Sequence, residues 1–113
     1  MEKKVLVLDI DGTLTNSKKE ITDKTRHAIW DAVLRGHKVM LASGRPTPGM
    51  RRYEEELELA RYGGYLLSFN GARIVECRTG EVIYQSTLSP GLVPGLYRYA
   101  RERRMGLVTY LGD

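Results

Sequence analysis

Three short apolar runs, separated by stretches of helical period, constrain the fold of this chain more than any other feature. They are Val5-Leu6-Val7-Leu8, Lys38-Val39-Met40-Leu41-Ala42 and Tyr65-Leu66-Leu67-Ser68-Phe69. The first has no polar alternation, the pattern of a strand buried on both faces of a parallel sheet. After it, Thr22 is placed to cap a helix, with Ile21 as a staple. Ala28, Ile29, Ala32 and Val33 recur at helical spacing, and Gly36 supplies a stop. Thr47-Pro48 is a second cap-plus-first-turn signal; Met50, Tyr53, Leu57 and Ala60 mark one helix face, ended by Gly63-Gly64. The order strand, helix, strand, helix, strand predicts an α/β fold with a right-handed parallel sheet.

At Asn70-Gly71 the pattern changes. Residues 72–76 and 82–86 read as two strands joined around Arg78-Thr79-Gly80, an antiparallel hairpin. Ser89-Pro90 opens a helix carrying Leu92, Val93, Leu96, Tyr97 and Ala100, weakened by Gly91 and Gly95. Residues 107–111 read as a last strand. The switch predicts a second module inserted at the sheet edge, with residues 1–70 in the first unit and 71–113 in the second.

Bulk properties exclude several classes. A chain of 113 residues is the size of one small domain, and its 42% hydrophobic and 28% charged content is ordinary. No apolar run approaches the ~20 residues needed to span a bilayer, so no membrane role is expected. The four-residue apolar stretch near the N-terminus ends in acid and is too short for a secretory signal. The single cysteine, Cys77, cannot form an internal disulfide and fits a reducing, cytoplasmic setting. The net charge of +4 is broken up by Glu54, Glu55, Glu56 and Glu58, while Arg101, Arg103 and Arg104 cluster near a predicted helix C-terminus. No basic-plus-aromatic module is present, so no nucleic-acid partner is expected. His27 and His37 read as solvated, Trp30 as packing and Cys77 as inert.

The chemistry concentrates in two loops. Asp9-Ile10-Asp11-Gly12-Thr13 follows the first strand directly, at the carboxyl edge where open α/β sheets bind ligands. Two carboxylates so close repel each other unless a cation or proton compensates, and hard oxygen ligands suit Mg²⁺. Gly12 permits a tight turn, and Thr13 offers a hydroxyl and an amide to an oxyanion. Ser43-Gly44-Arg45 follows the second strand, where hydroxyl and amide donors before a helix make a phosphate site. Either loop alone could be only a turn; two at neighbouring strand ends point to a shared site.

Asp9-Ile10-Asp11-Gly12-Thr13-Leu14 and Leu41-Ala42-Ser43-Gly44-Arg45-Pro46 resemble the first and second motifs of the haloacid dehalogenase superfamily. Ser68-Phe69-Asn70-Gly71-Ala72 resembles the junction of its Cof-type branch (class IIB), whose cap is inserted after the third strand. The resemblance covers the whole chain. It implies a Rossmann-like core in residues 1–70 and a partial α+β cap in 71–113. It implies a Mg²⁺-dependent phosphatase acting on small phosphorylated metabolites. Asp9 would attack phosphorus and bind the metal. Asp11 would donate a proton to the leaving group, then activate water, and give its backbone carbonyl to the metal. Thr13, Ser43 and Gly44 would hold the phosphoryl oxygens. Arg45 would either contact substrate or cover the site, and Asn70 and Gly71 would set the cap hinge and entrance.

The family pattern also calls for a lysine and an acidic motif after the cap. No lysine follows Lys38, and the acids after Asn70 are Glu76, Glu81, Glu102 and Asp113. Gly112-Asp113 resembles the start of the acidic motif by letters alone and is read as coincidence. The first strand is central in the family's sheet, so here it is expected to present an open apolar edge. A truncated fragment with little or no activity of its own is the expectation. A non-catalytic assembly module, a homo-oligomer paired through that edge, is the alternative, along with a phosphotransferase or mutase of the same superfamily. A response-regulator receiver is a weaker fit, because it needs a later phospho-acceptor and lysine.

Overall fold

The computed structural model describes residues 2–111. Strand β1 (Val5–Asp9) leads through a loop to helix α1 (Asp23–Leu34) and strand β2 (Lys38–Ala42). A single 3-10 turn (Thr47–Met50) precedes two short helices, α2 (Arg51–Glu56) and α3 (Leu59–Tyr62), and then strand β3 (Tyr65–Ser68). Strands β4 (Arg73–Glu76) and β5 (Val82–Gln85) form a hairpin, followed by helix α4 (Val93–Glu102). All five strands belong to one sheet in sequence order, parallel from β1 to β3 and antiparallel from β3 to β5.

The expected βαβαβ order is present, and Thr22 caps α1 by accepting the Thr25 amide at 3.3 Å. The helix ends with Gly36 at φ +93°, where the His37 amide donates to the Ala32 carbonyl and the Gly36 amide to that of Val33. Gly63, at φ +85°, closes α3 in the same left-handed region.

Burial differs from expectation on one point that matters for the site. The unalternated β1 run predicts burial on both faces, yet Val5 and Val7 are 57% and 55% exposed. Strands β2 and β3 instead alternate, with Val39, Leu41, Leu66 and Ser68 buried and their neighbours partly exposed. Two causes combine: β1 lies at the edge of the sheet with β2 as its one strand partner among the described residues, so that even Leu6 is 39% exposed, and the order of connection covers one face only. Both crossovers run the same way along the sheet, so their helices fall on one face. Contacts between them confirm this: Trp30 Nε1 donates to the Leu57 carbonyl at 2.9 Å, and the Trp30 and Tyr62 rings lie 6.3 Å apart. Ile29, Met50, Tyr53, Leu57 and Leu59 fill the space between helices and sheet.

Other elements also depart from the reading of the sequence. The predicted single helix after Thr47 is split, because Glu58 adopts a left-handed conformation at φ +53° and breaks the helical phase. Leu59 is therefore buried where Ala60 was expected, and Ala60 is exposed. Thr47 is not an N-cap; its buried hydroxyl pairs with Ser68 Oγ at 2.7 Å and ties the 3-10 turn to β3. The predicted strand at residues 107–111 is absent, since no described strand lies beside it to form a ladder. The hairpin extends the core sheet, so the chain leaves that sheet after Gln85. Gly112-Asp113 lies outside the described residues.

Cys77 is 5% exposed, and burial, with Glu54 adding to it, pushes its thiol up to about 12. Alkylation of the native chain at pH 8 is expected to be roughly a hundredfold slower than of the urea-unfolded chain. The folded thiol holds its proton more tightly than the unfolded one. Its contribution to stability is therefore complete below the ordinary thiol value of 9.0 and is lost as pH rises toward about 12. A urea midpoint that stays flat across that alkaline window, or equal alkylation rates, would contradict the buried placement.

Candidate active site

The parallel register brings Asp9 beside Ala42 and Ala42 beside Leu67, so the carboxyl ends of β1, β2 and β3 form one edge. Each strand hands over to a loop there, and each loop is held by its own contacts. In the first, Ile10 and Leu14 are buried and anchor residues 10–14 to the core. Thr15 closes the turn, its amide and hydroxyl both donating to the Ile10 carbonyl at 3.1 Å. Gly12 sits at φ +81°, which an L side chain rarely adopts, so the reversal there requires glycine. With the loop pinned on its apolar side, Asp9, Asp11 and Thr13 are left exposed.

In the second loop, the Ser43 amide donates to the Leu67 carbonyl at 3.0 Å and the Asn70 amide to the Ser43 carbonyl at 3.1 Å. Ser43 Oγ accepts the Arg45 amide at 3.0 Å, which leaves its hydroxyl proton available. The Gly44 amide has no acceptor among the described residues. Two donors beside the edge thus stay unspent, one on exposed Gly44 and one on Ser43, which is 9% exposed.

The third loop is a left-handed run: Phe69 at φ +51°, Asn70 at +55° and Gly71 at +94°. The Asn70 amide side chain packs on Gly44, where an added Cβ would meet Asn70 Oδ1 at 2.9 Å. A side chain at Gly44 would therefore displace the Asn70 amide, and Asn70 lies against the second loop at this edge.

Arg45 is the residue whose surroundings the sequence left open. Its Nη2 donates to Asp11 Oδ1 at 2.8 Å and its Nε to Asp11 Oδ2 at 3.2 Å, a two-pronged ion pair across 34 positions of sequence. Its Nη1 donates to the Gly49 carbonyl at 3.2 Å, and the guanidinium lies 5.4 Å from the centre of the Tyr53 ring. The hydrogen bonds from Arg45 hold the Asp11 carboxyl below the usual carboxylate range, against a weaker desolvation effect. Asp11 in turn raises the guanidinium further. Asp9, by contrast, has no side-chain hydrogen bond or ion pair among the described residues, so its exposed carboxylate is unengaged. Sequence reasoning missed Tyr53 and Gly49 as parts of the site. Tyr53 was legible only as a core position of a helix, because its contact with Arg45 depends on how the 3-10 turn folds back.

Residues 6–113 match the family model described as haloacid dehalogenase-like hydrolase. The chain belongs to the haloacid dehalogenase-like hydrolase family. It is similar to the candidate phosphatase YxeH of Bacillus subtilis (strain 168), with 36% identity over 99 residues, 88% of this chain and 37% of that protein. Among solved structures it is similar to a haloacid dehalogenase-like hydrolase from Bacteroides thetaiotaomicron, at TM-score 0.82 and 42% identity over 91% of this chain and 39% of that one. A subclass IIB sugar phosphatase of the superfamily, BT4131, superposes at TM-score 0.72 with 27% identity, covering 90% of this chain and 38% of its own. The chain therefore spans less than two fifths of the length of each. Among the described residues, no helix is long and apolar enough to cross a membrane.

Proposed function

We propose that this member of the hydrolase family carries the nucleophile-bearing part of a Mg²⁺-dependent phosphatase for small phosphorylated metabolites, of the Cof type and working in the cytoplasm. The observation that carries the reading is the edge itself. An unpartnered Asp9 carboxylate stands at one strand end, and the free Ser43 hydroxyl proton and Gly44 amide stand at the next. A nucleophile and anion donors on adjacent strands are what phosphoryl transfer from an ester needs.

In this reading Asp9 attacks phosphorus and the bond to the ester oxygen breaks; Asp11, a carboxylate paired with Arg45 in the structure, takes up a proton on releasing one of those hydrogen bonds and gives it to the departing oxygen. Water then attacks the aspartyl-phosphate, giving its proton to Asp11, and phosphate leaves with Asp9 restored. Thr13, Ser43 and Gly44 hold the phosphoryl oxygens throughout. The Asp9 carboxylate and the Asp11 backbone carbonyl are hard oxygen donors and fit Mg²⁺, which keeps few protein ligands and fills its shell with water and phosphate oxygens. No cluster of three or more acidic, His or Cys groups that could hold a metal is present among the described residues. Bound there, Mg²⁺ would neutralise charge between the nucleophile and the phosphoryl group. Residues 1–70 are the first half of the core in this reading, and 71–113 begin a cap whose stem is the β4–β5 hairpin, with Asn70 and Gly71 at the hinge.

Because no lysine follows Lys38 to bridge nucleophile and phosphate, the chain by itself is expected to hydrolyse p-nitrophenyl phosphate slowly or not at all. Binding tests the site without turnover. Titration with inorganic phosphate and Mg²⁺, followed by heteronuclear NMR, is expected to shift the amides of Thr13, Ser43 and Gly44 ahead of all others. Shifts confined to the arginines of α4 would reject the site. A second reading, a homodimer, draws on the exposed apolar β1 edge; a monomeric elution volume at high concentration would exclude it.

A further inference from the structure

We propose that Arg45 is a positioning residue: its guanidinium fastens the Asp11 carboxylate beside the phosphate site and does not itself hold the phosphoryl group. The inference rests on the phosphatase reading and assigns the one charged side chain of the site whose role that reading leaves open.

The geometry argues for a fixed clamp. A phosphate-binding arginine needs its fork turned to the ligand, because that is where parallel N–H donors match two oxygens. Here the fork formed by Nε and Nη2 is already turned to a carboxylate, with both oxygens of Asp11 engaged. Nη1 is held by the Gly49 carbonyl, and the plane rests on the Tyr53 ring, itself 2% exposed and unable to shift without disturbing the core. The backbone of Arg45 is fastened too: its amide donates to Ser43 Oγ, and its carbonyl accepts the Phe69 amide at 2.9 Å. The residue is thus anchored to the residues that directly follow β2 and β3 and to the 3-10 turn before it reaches Asp11.

The first loop has no comparable hold on Asp11. Its buried anchors are Ile10, Leu14 and Thr15, while the Asp11 side chain is 53% exposed and takes hydrogen bonds only from Arg45 among the described residues. An exposed aspartate on a glycine-containing turn would sample several rotamers. The Arg45 fork selects one and so couples the two phosphate loops. Charge alone would not do this: a lysine could attract Asp11 but could not fix its plane.

Heteronuclear NMR on the 113-residue chain tests the assignment. The Arg45 Nε–H signal is expected to exchange with water about tenfold more slowly than those of exposed arginines, as for a charge-assisted hydrogen bond. Asp11→Asn should remove that protection, and Asp9→Asn should retain it. Phosphate affinity in the presence of Mg²⁺, read from the Ser43 and Gly44 amides, should stay within about threefold of wild type in Arg45→Met and in Arg45→Lys. Loss of a direct phosphate ligand would instead weaken it by about tenfold or more. If Arg45→Met fails to fold, Arg45→Lys carries the comparison, since it keeps the charge and loses the fork. An Arg45 signal indifferent to Asp11→Asn, or phosphate binding weakened tenfold in a folded Arg45 variant, overturns the positioning role alone. Wild-type Thr13, Ser43 and Gly44 amides indifferent to phosphate overturn the phosphate-site reading beneath it.

Discussion

Replacing Asp9 by asparagine is expected to eliminate any Mg²⁺-dependent hydrolysis of p-nitrophenyl phosphate, by roughly a thousandfold or to the detection limit. An amide oxygen cannot form the phospho-enzyme that the proposed route requires. The same substitution should leave the fold unchanged. Asp9 is exposed, and its carboxylate has no partner among the described residues whose loss would be felt. A second effect has the opposite sign and needs no turnover. The Asp9 carboxylate repels phosphate, and in wild type Mg²⁺ relieves that repulsion. In Asp9→Asn, phosphate should therefore bind several-fold more tightly than to wild type without Mg²⁺, and addition of Mg²⁺ should no longer help. Turnover that survives the substitution, or phosphate binding that keeps its full Mg²⁺ dependence, would remove Asp9 from the role of nucleophile and metal ligand.

The largest effect on stability is expected from Leu41→Ala. Leu41 is fully buried on β2, pairs in register with Leu8 and Leu66, and belongs to the cluster with Val39, Met50 and Leu57. Emptying that position should cost about 2–5 kcal/mol, the range for large-to-small changes in a core. Against the total stability of about 5–15 kcal/mol of an ordinary domain, that is a major fraction. The strand ending at Ala42 carries Ser43 directly, so the phosphate response of the Ser43 and Gly44 amides should vanish along with the fold. Urea titration of wild type and Leu41→Ala by fluorescence of the lone tryptophan, Trp30, whose indole is hydrogen-bonded to the Leu57 carbonyl, reads the change. A midpoint within experimental scatter of wild type would mean that β2 is not the centre of the packed layer.

Much of the fold was legible because local signals and tertiary packing agree. Thr22 and Gly36 bound α1 as their chemistry dictates, and Lys38–Ala42 is the strand its apolar residues imply. Arg78-Thr79-Gly80 lies between β4 and β5 as a hairpin requires. The misreadings arise where a distant partner decides. Thr47 looks like a cap but bonds to Ser68, and Glu58 looks helical but turns left-handed so that Leu57 and Leu59 can both be buried. Residues 107–111 have the composition of a strand but no neighbouring strand to pair with.

The site divides along the same line. By itself the sequence determined the chemistry on offer, the Asp9-to-Thr13 and Ser43-to-Arg45 loops placed after apolar strands, because residue types and short-range spacing are local properties. Tertiary structure alone decided how those groups are spent. The β1–β2 register sets Asp9 beside Ala42, and Asn70 closes over Gly44. The Arg45 fork goes to Asp11, with Gly49 and Tyr53 behind it. Two ionic groups 34 positions apart can choose each other only after the backbone has brought their loops together, and a guanidinium with several acceptors in reach goes where its plane and its donors are best satisfied together.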